Sequence, residues 1–345
     1  MSIEHSKHQS WAEELLPVPQ HLVGGDWSAS ATGGSRPHVN PSTGDVQATI
    51  PMSAGSEVDD AVAAAKRAAG PWRDLAPYER QALLVALARL VEKNGSQLAR
   101  ILTLETGLPL SLTEVFSVRG ADVLEYNASV AATMQGQVIQ VDPARSLDYV
   151  LPEPYGVVAL IMTWNGGLSA LGRKAGAALA AGNTVVIKPS EVAPFTTVRF
   201  AELAIEAGFP PGVINVVHGD GAAGDRLVRA SDVRKVSFTG GVGAARKIQA
   251  SAAVGPKPVA LELGGKSANI VFPDADIDAA ARSAAVGALY MSGQGCALPT
   301  RLLVHADIYE EVVDRVREVA AVLAVGDPLD PGTVMGPIIT EGHLE

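Results

Sequence analysis

Gly156-Val157-Val158-Ala159-Leu160-Ile161 and Asn183-Thr184-Val185-Val186-Ile187-Lys188-Pro189-Ser190-Glu191 decide the fold of this chain. Each is a short strand-like apolar run that stops at polar or turn-forming residues. The runs at 157–161, 184–187, 214–217, 235–238 and 259–261 alternate with helical stretches at 170–181, 195–207, 223–230 and 244–253. Repeated β-α units of this length predict an α/β fold with a doubly wound parallel sheet.

In such sheets ligands bind at the carboxyl ends of the strands. The chemistry-bearing residues fall there: Trp164-Asn165, Lys188-Pro189-Ser190-Glu191, Thr239-Gly240-Gly241 and Glu262-Leu263-Gly264-Gly265. Two further motifs carry less. Gly219-Asp220-Gly221-Ala222-Ala223-Gly224 fits the G-x-G-x-x-G pattern, but the following strand end, Phe238-Thr239-Gly240, lacks the ribose-binding acid. It reads as a turn at the edge of a cofactor site. Gly264-Gly265-Lys266-Ser267 resembles the end of a phosphate-binding loop, but Ala260 stands where its first glycine must be.

Cys296 is the only cysteine in the 345 residues, so no internal disulfide or cysteine-cluster metal site can form. It lies in the Gly-rich run Ser292-Gly293-Gln294-Gly295-Cys296, where a thiol can serve as a nucleophile. Glu262, in a second Gly-rich turn, is a candidate general base.

Toward the N-terminus, residues 1–20 read as a polar, mobile segment without a secretory signal. Amphipathic helices follow at 57–69 and 78–93, and strands at 137–141 and 147–151 form a ribbon that needs a partner to be stable. A net charge of −10 without a basic stripe argues against nucleic acid or an anionic membrane as partner. No apolar run is long enough to span a bilayer. The single cysteine makes the reducing cytoplasm the expected compartment, and the histidines show no metal-ligand spacing.

From about residue 22 to 339 the chain resembles NAD(P)-dependent aldehyde dehydrogenases. The resemblance is carried by Asn40-Pro41-Ser42-Thr43-Gly44, Glu153-Pro154-Tyr155-Gly156-Val157, Trp164-Asn165, Ala180-Ala181-Gly182-Asn183-Thr184 and Lys188-Pro189-Ser190-Glu191. It continues through Phe238-Thr239-Gly240, Leu261-Glu262-Leu263-Gly264-Gly265-Lys266-Ser267 and Gly293-Gln294-Gly295-Cys296, all in order. It implies a cofactor domain at 21–135 and 152–263, a β-ribbon oligomerisation element at 136–151 and an incomplete catalytic domain at 264–345.

The resemblance also implies roles. Cys296 attacks an aldehyde carbonyl, Asn165 and the Cys296 N–H hold the oxyanion, and Glu262 activates the water that hydrolyses the resulting thioester. Lys174 matches a lysine of the proton path. Lys188 and Glu191 bind the adenosine ribose, Trp164 lines the site, and the helix start at Gly240-Gly241 faces the pyrophosphate. Ser190, Gly221, Phe238, Thr239 and Leu263 join the cofactor site. A strand-end glutamate repels a 2′-phosphate, which favours NAD over NADP. An acylating, CoA-dependent reaction is disfavoured by Glu262. The implied partners are a small aldehyde and, for a full-length form, further copies of the chain.

Departures concern pocket shape. Thr163 replaces the usual Pro before Trp-Asn, Gly166-Gly167 replace an aromatic-Pro pair, Gly241 replaces a serine, and Leu298-Pro299-Thr300 precede Arg301 in place of small residues. The resemblance further implies about 150 residues beyond Glu345, including a Glu-x-Phe-Gly-Pro stretch. Two readings follow: an aldehyde-oxidising enzyme of which this chain is the larger part, or a catalytically inactive remnant retaining at most nucleotide binding. The truncated 345-residue chain as written is expected to lack significant dehydrogenase activity.

Overall fold

The structure, a computed structural model, describes residues 3–345. Helix α1 (Ile3–Leu15) precedes the strand pairs β1 (His21–Val23) with β2 (Asp26–Ser28) and β3 (Ser35–Val39) with β4 (Val46–Pro51). Four helices follow: α2 (Ser56–Asp74), α3 (Pro77–Lys93), α4 (Gly95–Thr106) and α5 (Leu110–Ala131). The ribbon is β5 (Gln137–Ile139) and β6 (Asp148–Val150), all of whose residues are exposed.

The alternating unit then runs β7 (Val157–Ile161), α6 (Gly167–Leu171), a π-helical turn (Gly172–Gly176), α7 (Ala177–Ala180), β8 (Thr184–Lys188), α8 (Phe195–Glu206) and β9 (Ile214–Val216). It ends with α9 (Gly221–Arg229), β10 (Val233–Gly240), α10 (Val242–Ala253) and β11 (Val259–Leu263). The last part holds β12 (Ala268–Val271), α11 (Ile277–Leu289), β13 (Arg301–Val304), α12 (Tyr309–Ala321) and α13 (Glu341–Leu344).

The main sheet has the order β11-β10-β7-β8-β9-β1-β2, with β11 to β9 parallel and β1 and β2 antiparallel. Because successive side chains of a strand point to opposite faces, β7 divides its residues between two cores. Val158 and Leu160 pack with Leu84 and Leu87 of α3, Leu124 of α5 and Phe200 of α8. Val157, Ala159 and Ile161 pack with Val58 and Val62 of α2 and Leu227 of α9 on the other side. A strand covered on both faces has no room for polar residues, which is why this stretch is legible from composition. The chain leaves β7 first toward β8 and β9, then crosses to β10 and β11. Between β7 and β10 the strand order therefore reverses, and a cleft opens there.

The segment expected to be mobile is instead largely a packed helix; residues 1 and 2 lie outside the described residues. His8 is 1% exposed, with Nε2 donating to the Asp327 carboxylate at 3.1 Å and Nδ1 accepting from Asn40 Nδ2 at 3.2 Å. The Arg100 guanidinium stacks 4.6 Å from the Trp11 ring. These anchors lie far away in sequence, so local polarity misreads the helix.

Near the other end, β12 and β13 pair in parallel. On this small sheet Val271 is buried, while Ile270 and Leu303, and Phe272 just beyond β12, stand exposed.

Candidate active site

The cleft encloses about 1260 Å³ where β7, β8, β10 and β11 end. Trp164, Asn165, Lys188, Ser190, Glu191, Gly221, Phe238, Thr239, Gly240, Gly241, Glu262, Leu263 and Cys296 all line it. Of the candidate catalytic and cofactor-binding residues, Lys174 alone does not.

Cys296 lies exposed on the turn that leaves α11. Met291, Ser292 and Gly293 take φ of 55°, 56° and 73°, a left-handed run that costs energy at the two non-glycine positions. Long-range bonds hold it. Ser292 is fully buried and its Oγ accepts the Gly336 N–H at 3.0 Å, while Gln294 Oε1 accepts the Ile339 N–H at 3.1 Å. The Cys296 carbonyl accepts the Gly265 N–H at 3.2 Å, tying the thiol's turn to the loop that follows Glu262. Asn165 reaches the same turn from β7, its Nδ2 donating to the Gln294 carbonyl at 2.8 Å. Thiol, carboxylate and amide thus arrive from three elements at one cleft.

Lys174 lies half-buried in the π-helical turn, outside the cleft lining. The extra residue is accommodated because Asn127 Nδ2 donates to the carbonyls of Gly172 and Val123, at 3.1 and 2.9 Å. Lys174 Nζ donates to Ser237 Oγ at 2.6 Å. Burial pulls its pKa down to about 8, while the Glu262 charge pushes it up and Arg173 pushes it down.

At the other end of the cleft, two helix N-termini differ. Helix α9 is capped by Asp220, whose carboxylate accepts from the N–H groups of Ala222 and Ala223 at 2.8 and 3.3 Å. Helix α10 begins at Gly241 with no side-chain cap. A Cβ on Gly241 would meet nothing within 4 Å, so space remains in front of its N–H groups. The free N-terminus suits a diphosphate and the capped one does not, in keeping with Gly219–Gly224 being an edge turn. Beside it Lys188, 5% exposed, donates from Nζ to Glu191 Oε1 at 3.2 Å and to the Pro189 carbonyl at 3.1 Å. The Glu191 carboxylate keeps acceptor capacity for ribose hydroxyls. This chemistry fits a dinucleotide.

Sequence reading missed other cleft-lining residues. Asp225 and Arg229 pair on α9 at helical spacing and both engage Ser251 of α10, an arrangement visible only once the two helices are adjacent. His343 also lines the cleft, as does Thr163, which the sequence marks as a departure bearing on pocket shape. Among the described residues no cluster suited to a metal ion is present, and no helix is long and apolar enough to cross a membrane.

A doubly wound sheet with its cleft at the switch point is the architecture of dinucleotide-binding proteins. The aldehyde dehydrogenase family pattern matches residues 27–345. Betaine aldehyde dehydrogenase of Cereibacter sphaeroides is 39% identical over 330 residues, 95% of this chain and 68% of that protein. The structure of PnpE, a protein of Pseudomonas sp. WBC-3, in complex with nicotinamide adenine dinucleotide superposes with a TM-score of 0.91 at 41% identity, covering 94% of this chain and 67% of that one. An Escherichia coli NADP-dependent enzyme gives a TM-score of 0.92 at 37% identity, covering 96% and 69%. The chain belongs to the aldehyde dehydrogenase family.

Proposed function

We propose that this protein oxidises an aldehyde to a carboxylic acid with a nicotinamide dinucleotide, NAD in preference to NADP, through a covalent intermediate on Cys296. The observation that carries this reading is the convergence of Cys296, Glu262 and Asn165 on one cleft that also contains the uncapped N-terminus of α10. Cys296 Sγ adds to the carbonyl carbon. The Asn165 amide, with one N–H left after bonding Gln294, and the Cys296 N–H take the developing oxyanion. Dinucleotide bound in the cleft supplies the hydride acceptor. Glu262 then takes a proton from the water that attacks the thioester. The cofactor domain at 21–135 and 152–263, the ribbon at 136–151 as an oligomer contact and the catalytic part at 264–345 belong to the same reading, as does a cytoplasmic setting. Comparing dinucleotide reduction with and without a panel of aldehydes tests it.

Lys174 serves as the proton outlet for Glu262. Its proton leaves as pH rises through about 8, so acid release is expected to rise across the same range. Lys174→Arg, which stays cationic, removes that limb from the pH profile of the hydrolytic step. An unchanged profile counts against the assignment.

Glu191 sets the cofactor preference. Glu191→Gln removes the charge facing a 2′-phosphate and is expected to shift the ratio of NAD to NADP dissociation constants by about 10-fold toward NADP. Calorimetric titration reads this without turnover, and an unchanged ratio contradicts it.

A second reading, dinucleotide binding without turnover, is favoured by the uncovered apolar face of the β12–β13 sheet. Binding of NAD with no aldehyde-dependent reduction would select it.

A further inference from the structure

We propose that Thr163 is a positioning residue for Asn165: the Gln294 carbonyl selects the donor end of the side-chain amide, and the Thr163 hydroxyl holds the amide oxygen in place behind it. The proposal rests on the covalent reading above and adds a residue to it. An asparagine amide carries an acceptor on one side and two donors on the other, and a half-turn about its last torsion exchanges them. Only the donor side can hold an oxyanion, so the oxygen must be held elsewhere.

Thr163 supplies that hold. It stands two residues before Asn165 on the loop leaving β7, and its Oγ1 donates to Asn165 Oδ1 at 3.3 Å. On the opposite side Nδ2 donates to the Gln294 carbonyl at 2.8 Å. After a half-turn Oδ1 would face the Gln294 carbonyl, acceptor against acceptor, and that bond would be lost. With one N–H held by the Gln294 carbonyl, the other is free for the oxygen of a bound carbonyl, and the Thr163 hydroxyl keeps Oδ1 on the far side. Being β-branched, Thr163 has few χ1 states, so its hydroxyl is set in advance. The proline common at this position in the resembled family has no hydroxyl to offer.

The test needs no dinucleotide and no turnover. Acetaldehyde labelled at its carbonyl carbon is added to the full chain, and carbon NMR follows the adduct on Cys296. In that step the Sγ–C bond forms, the carbonyl π pair moves to oxygen, and the thiol proton ends on that oxygen. Thr163→Val, nearly isosteric, is expected to weaken the adduct about 5-fold, whereas Thr163→Ser keeps it within about 2-fold. Rescue by serine separates the hydroxyl from packing. A Val variant equal to the parent, a Ser variant as weak as Val, or an Asn165→Ala variant without loss overturns the proposal while leaving a covalent Cys296 intact. Absence of any adduct beyond that of Cys296→Ala overturns the covalent reading itself, and this proposal with it.

Discussion

Cys296→Ala is expected to abolish aldehyde-dependent dinucleotide reduction, with a loss of at least ~10⁴-fold, and to leave the NAD dissociation constant unchanged. Cys296 is the only thiol in the chain, so no neighbouring nucleophile can substitute. Its replacement empties no core, because the side chain is exposed in the cleft. The dinucleotide end of the site, at Lys188, Glu191 and the start of α10, is built from other elements and should bind as before. Titrating NAD alongside the rate assay separates loss of chemistry from loss of fold. A variant that still reduces dinucleotide at an appreciable fraction of the parent rate excludes the covalent route.

Glu262→Gln is expected to slow acid release by about 10²–10⁴-fold, the usual loss on removing a general base. Because the amide keeps the shape but cannot take a proton, thioester formation should survive in the variant. The signature is a burst of one reduced dinucleotide per site followed by slow turnover. Equal loss of burst and steady rate would place Glu262 in the thiol's activation and not in hydrolysis.

How far the sequence discloses these features depends on where their determinants lie. The strands of the main sheet are legible because each is a buried apolar run closed by turn chemistry; β7 is found at 157–161 with both ends as expected. The ends of β10 are not, since Val233–Gly240 carries Arg234 and Lys235 on a strand only partly covered. Helix α5 escapes local reading partly because Gly120 interrupts its pattern. That glycine is a close-packing position, as a Cβ there would lie 2.7 Å from the Leu168 side chain. Helix α1 escapes because His8 finds Asp327, 319 residues away.

The same division holds in the cleft. Residues at strand ends announce themselves by topology, which is how Asn165, Lys188, Glu191, Thr239 and Glu262 came to be grouped. The bonds that orient them do not. Neither the Ser237 hydroxyl under Lys174 nor the Gly336 N–H on Ser292 has a local signal, since each joins segments more than forty residues apart. Thr163 beside Asn165 is local, but it reads in the sequence only as a departure from Pro, and its bond to the amide needs the folded loop.

The central claim, that oxidation passes through a thioester on Cys296, is tested most directly by mass spectrometry of Glu262→Gln mixed with NAD and aldehyde, quenched early and digested. The account predicts an acyl mass on the peptide containing Cys296, dependent on both reactants and absent in Cys296→Ala. Dinucleotide reduction with that peptide unmodified would contradict it.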